Sequence, residues 1–341
     1  MADPRPPLPL RFAVVGAGAV ARDYVRALAD VPEIRLVAAV DVDERARASA
    51  ADAWQVPVFA SVREMVAAAE RPHAALVATP PTAHEEAALQ LLAAGIHVLC
   101  EKPLAPSVSV ATRMLAAAAR NDSVLMMASK FRYVPDVVEA QTMVKSGLLG
   151  EVVLFENSFC SPIDMTRRWN ADAKVSGGGV LIDNGAHAVD IARFFLGPLI
   201  RVFAHFARRV QAVAVEDSVT LQLEASGGST AVIQLSWSID VANDWFITVC
   251  GSRGTLQVGW SGSRYRLHGQ REWTAFGTGY DKVAAFARQL RDFAWAVAQP
   301  GHEPAVRLED ALDSVRVIEA AYRAARVERW IPVQGYGGDF T

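Results

Sequence analysis

Cysteine is scarce in this chain: Cys100, Cys160 and Cys250 are the only three in 341 residues, far apart and in no C-x-x-C spacing. That excludes a disulfide framework and a cysteine-built zinc site, and points to a reducing, cytoplasmic setting. Long apolar runs are missing as well. The first ten residues carry Asp3 and four prolines where a signal peptide needs an apolar core, and Gly95 and His97 interrupt the stretch from Leu89 to Leu99. Nothing reads as a targeting or membrane segment. No block of like charge exists either, since 34 basic and 37 acidic side chains are interspersed to a net charge of −3. A footprint for nucleic acid or anionic lipid is therefore excluded, and small-molecule chemistry fits better.

What is present is apolar substance, 52% of residues, in a length that exceeds one core. Two domains are expected, residues 1–128 and 129–341, with the C-terminal segment a candidate to return to the first. From Arg11 short apolar runs alternate with alanine-rich helical patterns. Strands are predicted at Phe12–Val15, Ile34–Val40, Ala74–Ala78, His97–Cys100 and Val124–Ala128, with helices at Val20–Ala29, Val62–Glu70, His84–Ala94 and Val108–Ala119. This is the pattern of βαβ units and a doubly wound parallel sheet of Rossmann type. After Gly150 strands are predicted at Val152–Phe159, Arg201–Val210, Ser218–Glu224, Ala231–Ser238, Trp245–Cys250 and Thr255–Val258, then helices at Val283–Ala298 and Leu308–Ala325. The fold class is α/β, with a C-terminal α+β domain built on a large, mostly antiparallel open sheet.

Gly16, Gly18 and Ala21 have the G-x-G-x-x-G/A spacing. The run Gly16-Ala17-Gly18-Ala19-Val20-Ala21 follows a predicted strand, opens a predicted helix and lies in a βαβ unit of about 30 residues, the setting a dinucleotide fingerprint requires. Gly16 permits the tight turn and Gly18 a close backbone approach to pyrophosphate. Asp41 ends the second strand, where a carboxylate accepts from ribose hydroxyls and repels a 2′-phosphate. NAD is favoured, with NADP possible should Arg45 or Arg47 accommodate the phosphate.

Lys102 follows the strand His97–Cys100, at the carboxyl edge where open α/β sheets bind ligands. Asp183 and His187 are four residues apart, so on a helix they share one face, as a proton-transfer pair requires. The same pair could hold metal, but no third ligand stands at a recognisable spacing, and no metal is expected.

The segments Val77-Ala78-Thr79-Pro80-Pro81-Thr82-Ala83-His84, Cys100-Glu101-Lys102-Pro103-Leu104 and Gly177-Gly178-Gly179-Val180-Leu181-Ile182-Asp183-Asn184-Gly185-Ala186-His187, with Val215-Glu216-Asp217-Ser218 beyond them, resemble the glucose-fructose oxidoreductase and inositol dehydrogenase family, Gfo/Idh/MocA. The resemblance spans nearly the whole chain. It implies hydride transfer between a nicotinamide cofactor and a secondary alcohol or ketone of a sugar, cyclitol or sugar derivative. Lys102, Asp183 and His187 fall at the catalytic positions; which of Lys102 and His187 is the immediate base stays open. Thr79, Pro80, His84 and Glu101 fall at cofactor positions. Arg132, Arg168 and Trp169 lie where substrate is reached, with Tyr280 as a weaker candidate. The resemblance also implies a cis bond before Pro103 and a homodimer or homotetramer assembled through the C-terminal sheet. Two alternatives are a reductase of nucleotide-activated sugars and a non-catalytic regulator that senses dinucleotide and sugar.

Overall fold

A computed structural model describes residues 5–68 and 70–335. Asp3 and Pro4, used above against a signal peptide, lie outside them. The chain opens with β1 (Leu10–Val15), α1 (Ala19–Ala27), β2 (Ile34–Val40), α2 (Glu44–Trp54), β3 (Val58–Phe59), α3 (Val62–Ala67), β4 (Ala74–Val77), α4 (His84–Ala93), β5 (His97–Glu101), α5 (Val108–Arg120) and β6 (Leu125–Ala128). The six strands are parallel in the order β3-β2-β1-β4-β5-β6. Every residue of β4 and of β6 is buried, as expected of strands covered on both faces. Helix α2 was not predicted, because Ala50 alone of its residues is buried and it shows no apolar stripe. Local chemistry makes it instead: the Asp43 carboxylate accepts the Ala46 amide at 2.8 Å, and Gln55 ends the helix at a φ of 54°.

The rest of the chain forms α6 (Pro135–Lys145), β7 (Val152–Cys160), α7 (Ala173–Ser176), α8 (Val180–Leu196), β8 (Leu199–Phe206), β9 (Ser218–Ala225), β10 (Thr230–Ser236), β11 (Trp245–Gly251), β12 (Gly254–Gly259), β13 (Ser263–Leu267), β14 (Thr274–Phe276), α9 (Lys282–Ala298), α10 (Leu308–Val327) and β15 (Ile331–Pro332). Nine strands form the second sheet in the order β14-β13-β12-β11-β7-β10-β9-β8-β15. Only β7 and β10 pair in parallel. Alternation places Phe155, Asn157 and Phe159 on the buried face and Glu156 on the exposed one. Helix α8 packs on β7, β9 and β10, and a Cβ on Gly185 would lie 3.1 Å from Leu235, so glycine lets helix and sheet approach.

One reading needs correction. The strand expected over Arg201–Val210 stops at Phe206, because the buried Asp217 carboxylate takes the amides of Val210 and Gln211 at 2.8 and 2.9 Å and curls the chain off the sheet. Residues up to Lys130 group with Lys282–Leu312, and Phe131–Asp281 groups with the remainder from Asp313. The segment that rejoins the first unit is thus the one carrying α9, where Phe286 stacks on Tyr24 (3.9 Å between centroids) and Phe293 meets Phe12 edge-on at 6.3 Å. The C-terminal segment instead adds β15 to β8.

The first unit carries a built-in acid sensitivity. The Nδ1 atom of His97 accepts the Val124 amide at 2.9 Å, which requires a neutral ring. Burial, assisted by the charge of Arg5, lowers its pKa from 6.5 to about 4. Between those values the unfolded chain binds a proton that the folded chain does not, so stability falls as pH drops through that window. In His97→Asn, with an oxygen in place of Nδ1, urea unfolding should show a shallower loss of stability over the same range; an unchanged slope would remove His97 as the cause.

Candidate active site

In the first unit the phosphate-loop residues behave as their types require. Gly16 has a φ of 93°, and a Cβ on it would lie 2.7 Å from the Ala78 carbonyl oxygen, so only glycine fits. Gly18 caps α1 without any side chain, and a Cβ there would meet nothing within 4 Å. Ala21 is fully buried, which explains a small residue at the third position. Ala19 and Val20 form the first turn of α1, whose amides and positive dipole end face the loop. The Ala17 amide donates to Asp41 Oδ2 at 2.7 Å and the Asp43 amide to Oδ1 at 2.8 Å. Arg47 Nη1 donates to the carbonyls of Asp41 and Val42, at the edge of the same turn. After β4, the hydroxyl of Thr79 is buried without a hydrogen-bond partner. Open space before Gly18 and an unsatisfied hydroxyl beside the loop fit a dinucleotide.

Pro80 leads into a short turn at 81–83, and His84 begins α4 fully buried. Its ring nitrogens face two carbonyls, Thr79 at 2.9 Å and Pro103 at 3.0 Å. Burial lowers its pKa against the pull of those carbonyls, with the charge of Lys102 acting the same way. As a neutral ring it donates to one of them at a time, tying the turn after β4 to the turn after β5. Lys102 is half-buried at the carboxyl end of β5, and the Lys102–Pro103 bond is cis, as the resemblance implied. The buried Glu101 carboxylate accepts the Lys102 amide at 3.0 Å and the Tyr24 hydroxyl at 2.7 Å. Both its oxygens are therefore engaged within the unit, and it acts as a brace between α1 and the Lys102 turn. Tyr24, which also lies 2.9 Å from Gln289 of α9, was not picked out from the sequence. Its one visible signal is an amphipathic residue on the core face of the helix that follows the loop.

In the second unit Asp183 and His187 are half-buried one turn apart on α8, flanked by the buried Ile182, Ala186 and Val189. Asn170 Nδ2 donates to Asp183 Oδ2 at 3.3 Å. Phe131 meets the His187 ring edge-on at 5.1 Å and itself stacks on Tyr280 at 5.3 Å. Tyr280 therefore stands behind His187 as part of an aromatic cluster with Phe159, Phe246 and Trp260. Trp169 and Arg168 are exposed on the turn before Asn170.

Arg132, a candidate to reach substrate, is engaged by a carboxylate of α8. It is buried, and its fork grips Asp190 of α8 through Nε–Oδ2 at 3.0 Å and Nη2–Oδ1 at 2.8 Å. This bidentate pair anchors α8, and removing one partner of such a pair costs about 3–5 kcal/mol. Among the described residues no group of three or more His, Cys, Asp or Glu side chains is placed to hold a metal ion, and no helix is long and apolar enough to cross a membrane.

The model of the GFO/IDH/MocA oxidoreductase family, NAD-binding Rossmann fold, matches residues 10–129, and that of the GFO/IDH/MocA C-terminal domain matches residues 137–257. The chain belongs to this family. Its GFO/IDH/MocA relatives include a putative UDP-kanosamine synthase oxidoreductase subunit of Amycolatopsis mediterranei, 30% identical over 93% of this chain and 96% of the relative. An inositol 2-dehydrogenase of Rhizobium meliloti is 25% identical over 95% and 99%. Among solved structures, GenD2 from gentamicin A biosynthesis, in complex with NAD, is 28% identical with a TM-score of 0.83, covering 98% of each chain. The protein is an NAD-dependent oxidoreductase, and the Gly16 loop lies within the matched NAD-binding Rossmann segment.

Proposed function

We propose that this oxidoreductase interconverts a secondary alcohol and the corresponding ketone on a sugar or cyclitol, with Lys102, Asp183 and His187 as its catalytic groups. The observation that carries the reading is Lys102, held at the carboxyl end of β5 by its own amide on Glu101, in the same unit as a loop fitted to a dinucleotide. The names of the relatives support the substrate class.

Gly16, Ala17, Gly18, the first turn of α1, Asp41 and Thr79 would hold the cofactor. NAD, when bound, supplies the acceptor for the hydride of the alcohol carbon. The protein's task is then the hydroxyl proton. As a neutral imidazole His187 accepts that proton, and the Asp183 carboxylate one turn earlier favours the resulting imidazolium. The Lys102 ammonium is the group suited to stabilising alkoxide character. In the reductive direction His187 returns the proton. Asn170 orients Asp183, and Trp169 offers an aromatic face suited to the C–H face of a sugar ring.

The test is a screen of the purified protein with NAD against aldoses, glycosides, inositols and nucleotide sugars, and with NADH against ketoses, read as nicotinamide absorbance. Turnover of a neutral sugar or inositol is expected. NAD binding without turnover on any of them would overturn the reading in favour of a regulator.

Self-association into a dimer or tetramer through the nine-stranded sheet is part of the proposal. It is supported by a sheet face on which Val232 and Trp245 line a shallow groove with the polar Glu156, Gln234 and Thr248. A reducing cytoplasm is the proposed setting, since Cys100, Cys160 and Cys250 are all free thiols.

A further inference from the structure

Helix α8 presents Asp183 and His187, yet its own sequence provides no cap: Gly179 stands at the N-cap position and has no side chain to offer. The cap comes from a residue 37 positions downstream. Glu216 Oε1 accepts the Gly179 amide at 2.9 Å and the Leu181 amide at 3.2 Å, while the Glu216 carbonyl accepts the Val180 amide at 2.9 Å. Three successive amides at the start of α8 are thus held by one residue. The Tyr322 hydroxyl of α10 donates to the same Oε1 at 2.7 Å.

The glycine run makes room for this arrangement. A Cβ on Gly178 would fall 2.0 Å from the Tyr322 hydroxyl, and one on Gly179 would fall 2.0 Å from the Glu216 carbonyl oxygen. Gly178-Gly179 is therefore shaped to admit Glu216 and Tyr322, and α8 can start in one place only. Burial raises the Glu216 carboxyl above its ordinary pKa, opposed chiefly by the hydrogen bond from Tyr322 and then by the amides. Midway along α8 the Arg132–Asp190 pair holds the helix, so the residues from Asp183 to His187 lie between two fixed points.

We propose that Glu216, oriented by Tyr322, is a positioning residue that sets the axial and rotational placement of α8 and thereby of the Asp183–His187 pair. The proposal rests on the catalytic reading of that pair. A shift of α8 by a fraction of its 1.5 Å rise per residue would move both side chains out of productive geometry while leaving the Rossmann unit's NAD loop untouched.

The experiment compares Glu216→Ala, Glu216→Gln and His187→Ala by steady-state kinetics, NADH binding and the ring resonances of His187, assigned by their loss in His187→Ala. Glu216→Ala should lower kcat about tenfold, leave the NADH Kd unchanged, and move the His187 resonances. Glu216→Gln, which keeps an oxygen acceptor for both amides, should restore most of both. In the His187→Ala background, Glu216→Ala should lower kcat no further. Should Glu216→Ala fail to fold, Tyr322→Phe removes a single hydroxyl and should reproduce the effect at about threefold. Unmoved His187 resonances and unchanged kcat in Glu216→Ala, beside an inactive His187→Ala, would overturn the positioning role and leave the catalytic reading intact. Moved resonances beside a fully active His187→Ala would uphold the positioning and sink the catalytic reading.

Discussion

Replacing Lys102 with alanine is expected to abolish measurable turnover and leave NADH binding close to that of the native protein. The side chain is half-buried at the end of β5, and the backbone amide of Lys102 donates to Glu101. Alanine keeps that backbone hydrogen bond and removes the ammonium. Donors aimed at developing negative charge contribute about 10²–10³ in rate each, and a cationic one acting on an alkoxide belongs at or above the top of that range. Steady-state kinetics with a fluorescence titration of NADH checks both halves of the expectation. Turnover within tenfold of native would remove Lys102 from the chemistry, and a large rise in the NADH Kd would make it a cofactor ligand instead.

His187→Ala is expected to lower kcat by a factor on the order of a hundred or more, the usual scale for a positioned general base or acid. The ring meets Phe131 at 5.1 Å beside an aromatic cluster, and truncation removes the proposed proton acceptor. Asp183→Asn should do less, because the amide keeps the shape and loses only the charge that favours the imidazolium. Pre-steady-state measurement separates the chemical step from product release and tests whether the loss falls on kcat. Near-native kcat in His187→Ala would exclude it as base.

The parallel sheet was legible because its strands are short apolar runs flanked by amphipathic helices, and the loop at Gly16 because its glycines answer to sterics that hold in any fold of this kind. Hydrogen-bonded and capped features left weaker traces. Helix α2 depends on Asp43 and lacks an apolar stripe. The strands β13 and β14, also unpredicted, hold polar residues such as Arg264, whose guanidinium lies 4.3 Å from the rings of both Trp245 and Trp273. At the site, motif spacing pointed to Lys102, Asp183 and His187. It could not show that Arg132 closes on Asp190, since an arginine reads the same in sequence whether it faces solvent or a buried carboxylate. Asn170 and Tyr24 were missed, and Glu216 was seen only as part of a matching segment, for one reason: each works through a partner at least 13 residues away, and no local pattern records that.

The return of Lys282–Leu312 to the first unit bears on how such a protein can be recombined. A chimera that exchanges only the stretch up to Lys130 with a relative would carry Phe12 and Tyr24 from one parent and face them with Phe293 and Phe286 from the other. The Rossmann half is thus a two-piece cassette. Exchanging the whole unit with a relative therefore calls for moving both pieces together.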